Sequence, residues 1–354
     1  MSELKQILDL WKRSGAMGEQ VCLASVVAIE GSAYRRPGAR LLLTSSGRRA
    51  GTISGGCLEA EVAKKAWWLT ERGPSLQRYS SFFDDDGDMP YGLGCGGTVI
   101  VLLERDAPAR QVVEALRRSV EERTESVIVT DTNPDHPGTA LILNGAGEMV
   151  FARPGDMEQL SAPANEVLRT GASRHVPGFY FELIAPPPAL VIFGAGDDAQ
   201  PLTEFAASLD WHVTIADGRS NLARSDRFPQ AARVCDLDSV LTGVGSETAA
   251  VIMTHSYEQD RRVLGVLLGR EMKYLGILGP RRRTERLVSE VAQDLGLTPG
   301  ECMARLHTPV GLDLGGHSPA AIALSIAAEL QAVFAGREGN REARKLSSQP
   351  VLHG

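Results

Sequence analysis

Two short blocks, Ser54-Gly55-Gly56-Cys57 and Gly92-Leu93-Gly94-Cys95-Gly96-Gly97, each set a single thiol among glycines. Glycine admits positive φ and lets another molecule approach the main chain, so a cysteine in such company reads as a presented sulfur. The competing reading is a small core hydrophobe, because free cysteine is among the most buried residue types. Cys57 also opens a helical pattern that runs from Leu58, and a helix N-terminus favours thiolate over thiol. That makes it a candidate nucleophile or metal ligand. The intervening run of Asp84, Asp85, Asp86 and Asp88 reads as a solvated loop rather than a cation cage. Upstream, Gly31-Ser32-Ala33-Tyr34-Arg35-Arg36-Pro37-Gly38-Ala39-Arg40 places three arginines around a glycine turn, where guanidinium forks suit a phosphate.

A second constellation lies further along. Val191-Ile192-Phe193-Gly194-Ala195-Gly196-Asp197-Asp198-Ala199 is a strand running into a G-x-G-x-x-A turn, with Pro201 at a helix start. Asp217 ends the next strand, 23 residues after Gly194. This order predicts a Rossmann-type fold, with Gly194, Gly196 and Asp217 where a dinucleotide would contact it. Asp197 and Asp198 count against that ligand, since they put negative charge on the helix N-terminus that a phosphate would need; as helix caps they would be purely structural. In Thr254-His255-Ser256-Tyr257-Glu258-Gln259-Asp260, capping-box spacing accounts for Ser256 and Gln259 and leaves His255 over. Gly279-Pro280-Arg281-Arg282-Arg283 is either an anion site or a solvated basic turn. In Thr308 to Pro319, Ser318 and Pro319 are helix-start chemistry, while Asp313 and His317 exceed what capping needs.

The elements that must carry these residues divide at the prolines. Ala185-Pro186-Pro187-Pro188-Ala189 is stiff and joins neither helix nor inner strand, so residues 1–184 form one expected domain, 185–188 a linker and 189–336 a second domain. Residues 337–354 are charged, lack an apolar period and are expected to be a disordered tail. The first domain alternates strands (21–29, 39–44, 49–53, 98–103, 127–130, 141–143, 149–152, 179–184) with helices (4–13, 58–72, 108–122, 157–169), and Ser46-Gly47 and Asn144-Gly145 read as hairpin turns. It is expected to be mixed α+β. The second shows βαβ rhythm, with strands at 190–193, 212–216, 250–253 and 274–278, as in a doubly wound parallel sheet. Its last helix, 319–334, sets Ile322, Ile326, Leu330 and Val333 on one stripe.

The 354 residues are 43% hydrophobic, enough for two cores. With 37 basic against 44 acidic residues the net charge is −7, which excludes a general nucleic-acid or anionic-membrane surface. The start has no signal-peptide pattern and no run is long enough to span a bilayer, so a cytoplasmic location is expected. Five cysteines without paired spacing and seven histidines remote from Cys57 and Cys95 argue against a disulfide framework and a structural zinc site. A homodimer is the default assembly.

Taken in order, Gly31 to Arg40, Gly55-Gly56-Cys57, Gly94-Cys95-Gly96-Gly97, Phe193-Gly194-Ala195-Gly196, Thr254 to Asp260 and Thr308 to Ile326 resemble the XdhC/CoxI family, over nearly the whole chain up to Gly336. The resemblance implies an N-terminal XdhC/CoxI domain and a C-terminal Rossmann domain. It also implies a maturation factor that binds molybdenum cofactor and protects it during sulfuration by a cysteine desulfurase. Delivery to a molybdenum hydroxylase apoenzyme of the xanthine or CO dehydrogenase type would follow. On that reading Cys57 is the leading thiol and candidate molybdenum ligand, Cys95 the second, and Arg35, Arg36 and Arg40 are the phosphate contacts. Where Asp197-Asp198 stands, the family usually has His-Val. The main alternative is an NAD(P)-dependent oxidoreductase using Gly194, Gly196 and Asp217, with His255 or His317 as acid/base. A docking scaffold without a ligand of its own is the third.

Overall fold

A computed structural model describes residues 3–56, 58–80, 97–155 and 157–337. Cys57, Cys95, the aspartate run and the charged tail beyond Arg337 lie outside the described residues. The chain divides into two compact units, Met1–Pro187 and Pro188–Gly354.

In the first unit the elements are α1 (Glu3–Ala16), β1 (Val21–Gly31), β2 (Arg40–Thr44), β3 (Arg49–Gly51), α2 (Glu59–Leu69), β4 (Ser75–Ser80) and β5 (Gly97–Arg105). They are followed by α3 (Asp106–Glu121), β6 (Ser126–Asp131), β7 (Gly138–Asn144), β8 (Met149–Ala152), α4 (Met157–Thr170), β9 (Arg174–Val176) and β10 (Phe179–Ile184). Two antiparallel five-stranded sheets result, in the orders β3-β2-β1-β5-β4 and β8-β7-β6-β10-β9. Their inner strands are apolar on both faces because both faces are covered. One face of the first sheet buries Val26, Leu41, Leu103 and their neighbours under α2, through Leu58, Val62 and Ala66. Its other face, with Leu23 and Leu42, shares a core with α1, α3 and with Ile128, Ile142 and Ile184 of the second sheet. The second sheet's remaining face packs on Leu160, Ala164 and Val167 of α4.

Two buried polar pairs stitch these sheets. Arg40 of β2 meets Glu182 of β10 through two parallel bonds, Nη1 to Oε1 at 2.9 Å and Nη2 to Oε2 at 2.6 Å. Glu104 of β5 accepts from Thr139 of β7, at 2.7 Å from the backbone and 2.9 Å from the hydroxyl.

The second unit contains β11 (Ala189–Phe193), α5 (Ala199–Ser208), β12 (His212–Ala216), β13 (Arg233–Cys235), α6 (Asp238–Leu241), β14 (Thr248–Ile252), α7 (Tyr257–Leu267), β15 (Tyr274–Ile277), α8 (Arg281–Leu295), α9 (Pro299–Ala304) and α10 (Pro319–Phe334). Its sheet is wholly parallel, in the order β13-β12-β11-β14-β15. That is the doubly wound Rossmann arrangement, with the order reversing at β11. The expected stripe of α10 is buried on the core with α5, at Ile326, Leu330 and Val333. Ser318 caps α10 by accepting from the Ala321 N–H, with Pro319 following.

Three strands do not follow from the pattern reading. β4 is an edge strand whose Leu76, Gln77 and Arg78 are not buried, and β9 and β13 are three-residue edges. A strand bonded on one side carries too short a period to stand out. The capping box at α7 is also only half made. Ser256 accepts from the Gln259 N–H, but the Gln259 side chain turns away and accepts from Gly218 N–H.

Candidate functional site

In the first unit, three sequence motifs arrive at one end of the first sheet. The register pairs Gly31, the last residue of β1, with Gly97, the first of β5. A Cβ on Gly97 would stand 2.1 Å from the Ser32 carbonyl oxygen, so only glycine allows β5 to begin there. Beside them lies the turn between β3 and α2. Ser32, Ala33, Tyr34 and Arg35 from the first segment, Ile53 and Ser54 from the second, and Gly97 and Val99 from the third line one small cleft. The Tyr34 ring, 73% exposed, rests against Gly55, where a side chain would collide with it.

The three arginines of the β1–β2 loop have separate fates. Arg40 is buried and spent on Glu182 and on the Gly38 carbonyl, which leaves its terminal nitrogens no fork to offer a phosphate. Arg35 is ion-paired with Glu3 at the start of α1. The Arg36 side chain is exposed and makes no hydrogen bond or ion pair with any described residue; its backbone carbonyl accepts from Ala39 N–H.

The turn 52–56 is organised by a residue the sequence reading passed over. Glu59, in the first helical turn of α2 and 4% exposed, accepts from the Thr52 and Ser54 hydroxyls and from the N–H groups of Ile53, Ser54 and Gly56. Burial alone would raise its carboxyl, but these donors prevail and hold it at about 2. The only signal in the sequence is an acid three residues after Gly56, which reads as ordinary helix-dipole complement.

In the second unit, the loops after β11 and β14 meet at the sheet's switch point. Gly194 has φ +129°, and a Cβ there would lie 2.3 Å from the Met253 carbonyl oxygen. Gly196 approaches Asp198 and His255 closely. Asp197 bonds Arg227 at 2.6 Å, and Asp198 bonds His255 Nε2 at 2.7 Å without capping α5. His255 holds a left-handed backbone, φ +59°, to make that contact. Asp217 accepts from Ala195 N–H and from the Arg219 guanidinium and backbone. Burial would raise the Asp217 carboxyl; the Arg219 pairing and these backbone bonds lower it. Arg283 pairs with buried Asp260 at 2.7 Å. Asp313 and His317 are exposed, with no partner among the described residues.

This loop does not fit a dinucleotide. Its helix start already carries two carboxylates, one paired with Arg227 and one hydrogen-bonded to His255, and the acid that would hold a ribose hydroxyl is fully engaged. Titration with NADH is expected to reach no saturation up to about 1 mM, roughly −4 kcal/mol of binding. Micromolar saturation would overturn that reading of the loop. Among the described residues no group of three or more His, Cys, Asp or Glu could hold a metal ion, and no helix is long and apolar enough to cross a membrane.

A small loop-lined cleft on an α+β unit, joined to a Rossmann unit whose first helix start carries its own carboxylates, defines a two-unit protein with a candidate site in its N-terminal half. Residues 15–80 match the family model described as XdhC and CoxI family, and residues 190–330 match the XdhC Rossmann domain. The chain belongs to the XdhC/CoxI family. It is 30% identical over 334 residues to a probable xanthine dehydrogenase subunit of Bacillus subtilis, covering 88% of this chain and 92% of that protein. It is 25% identical over 324 residues to the molybdenum cofactor insertion chaperone PaoD of Escherichia coli, covering 89% and 84%. The crystal structure of a xanthine dehydrogenase from Bacillus halodurans matches with TM-score 0.76 and 28% identity, over 99% of this chain and 98% of that one.

Proposed function

We propose that this protein is a carrier for molybdenum cofactor, which it binds in the N-terminal cleft, shields during sulfuration and passes to a molybdenum hydroxylase of the xanthine or CO dehydrogenase type. The cofactor is cargo, and the protein is a chaperone rather than a catalyst. The observation that carries this reading is the convergence of Ser32–Arg35 of the β1–β2 loop, Ile53 and Ser54 of the turn before α2 and the glycine entrance of β5 on one cleft, with Arg36 next in sequence to its rim. A phosphate-bearing dithiolene calls for a cation, soft sulfur and flat apolar surface. Arg36 is the arginine of its loop left for the phosphate, and Tyr34 offers an exposed ring. Cys57 follows Gly56 directly, and two peptide units join Cys95 to Gly97, a reach of at most about 7 Å. Cys57 is the leading thiol and candidate metal ligand, with Cys95 second. The relative named as an insertion chaperone, similar along most of its length, supports the same role. A cytoplasmic homodimer that meets both a cysteine desulfurase and the client apoenzyme completes the proposal.

The test is anaerobic binding of released molybdenum cofactor to the purified protein, followed by co-elution and absorbance, for wild type beside Cys57→Ala and Arg36→Ala. Stoichiometric retention by wild type is expected. Cys57→Ala should abolish it, and Arg36→Ala should weaken it about tenfold, the worth of one charge-assisted contact. Absence of retention by well-folded wild type, or full retention and client activation by Cys57→Ala, sinks the assignment.

A further inference from the structure

A glycine turn with several inward N–H groups ordinarily invites an anion from outside. The turn between β3 and α2 has the geometry, and a count of its donors shows where they go. Ile53, Ser54 and Gly56 give their N–H groups to Glu59, each at 2.9 Å. Gly55 N–H goes to the Thr52 hydroxyl at 3.0 Å, and Leu58 N–H to the Ser54 hydroxyl at 2.8 Å. The two hydroxyls in turn donate to the same carboxylate. Every backbone donor from Ile53 to Gly56 is therefore consumed inside the protein, directly or through one hydroxyl.

We infer that Glu59 is a positioning residue: its carboxylate is a built-in anion that fills this nest and fixes the turn from which the chain enters Cys57. Two consequences follow for the ligand. The turn is closed to the cofactor's phosphate, which must sit on the arginine loop instead. What the turn presents outward is the Gly55 surface beneath Tyr34, and Cys57 follows Gly56 in the sequence. Gly55 and Gly56 adopt φ +87° and +125°, conformations costly for other residues, so the turn's shape depends on both the glycines and the acid that anchors them. Glutamine at 59 would keep the size of the side chain but aim an NH₂ at N–H groups that need an acceptor. The ligand side of this inference rests on the carrier reading above; the positioning of the turn does not.

Wild type, Glu59→Gln and Glu59→Asp are to be compared as full-length chains, well below their melting temperatures. The first readout is the rate of iodoacetamide labelling at Cys57, followed by peptide mass spectrometry with Cys235 of the other unit as internal control. Glu59→Gln is expected to change the labelling rate at Cys57 about tenfold, the equivalent of one lost charge-assisted hydrogen bond, with the Cys235 rate unchanged. The second is anaerobic retention of released molybdenum cofactor, expected to fall by a similar factor and to return in part with Glu59→Asp. A Glu59 that merely stabilises the fold would lower the melting temperature and leave both readouts of the folded protein at wild-type values. That result overturns the inference. Should Glu59→Gln fail to fold, Thr52→Val and Ser54→Ala remove one side-chain donor each, and wild-type labelling and retention in both is equally fatal. If wild type retains no cofactor while labelling at Cys57 still depends on Glu59, the carrier reading falls and the positioning role stands.

Discussion

Replacing Arg40 with methionine is expected to destabilise the N-terminal unit by about 3–5 kcal/mol, because it strands the Glu182 carboxylate in the protein interior without a counterion. Both partners are nearly closed to solvent, and their two parallel bonds join the first sheet to the second. The double variant Arg40→Met with Glu182→Leu should return close to wild-type stability, since apolar groups of similar volume replace a buried pair without leaving a charge behind. Urea unfolding followed by tryptophan emission in a Trp211→Phe background, which leaves Trp11, Trp67 and Trp68, reads the unit directly. Equal stability of wild type and the single variant would show that the pair contributes nothing. The single variant should also loosen the Arg35–Gly38 loop, because Arg40 Nη1 holds the Gly38 carbonyl at 2.8 Å.

Acid is expected to unfold the Rossmann unit through Glu329. This carboxylate, carried by α10 on its buried side, accepts from Tyr274 hydroxyl at 2.6 Å, His307 Nδ1 at 3.0 Å and Gly311 N–H at 2.8 Å. Burial opposes its ionisation, but the bonds from His307 and Tyr274 outweigh it and bring the group to about 2, against an ordinary 4.5. A depressed carboxyl stabilises the fold above the unfolded value and loses that contribution as pH falls from about 4.5 through about 2. The amount is roughly 3 kcal/mol. Glu329→Gln should flatten this window in an acid titration followed at Trp211, while lowering stability at neutral pH. A wild-type acid transition in the variant would assign the loss to other groups. In the other unit Glu59 follows the same sign, whereas full burial raises the Glu104 carboxyl and opposes it.

The contrast between what was legible in the sequence and what was not follows from distance along the chain. Long apolar strands such as β1 and β11, the G-x-G-x-x-A turn and the Ser318-Pro319 cap are local patterns, and the structure has them where the pattern lies. The three arginines of the β1–β2 loop look alike in sequence because what separates them is remote. Arg35 finds its acid 32 residues upstream and Arg40 finds its own 142 residues downstream. Glu59 is near its turn, yet an acid in a first helical turn has an ordinary explanation, so nothing marked it. Asp197 and Asp198 were legible as a charge conflict; Arg227 and His255, to which they are hydrogen-bonded, come from distant loops.

The carboxylate inside the Thr52–Gly56 turn has a thermodynamic counterpart. Glycine loses more conformational freedom on ordering than any other residue, and a receptor loop rich in it would normally meet that loss when its ligand arrives. Here the loss is incurred at folding, offset by hydrogen bonds the protein makes to itself. On the carrier reading proposed above, association would then need little rearrangement of the turn, and the complex would be held mainly by the few groups that touch the cargo. A surface of that kind can grip through one or two contacts and release when a partner displaces them, without refolding the loop at either step.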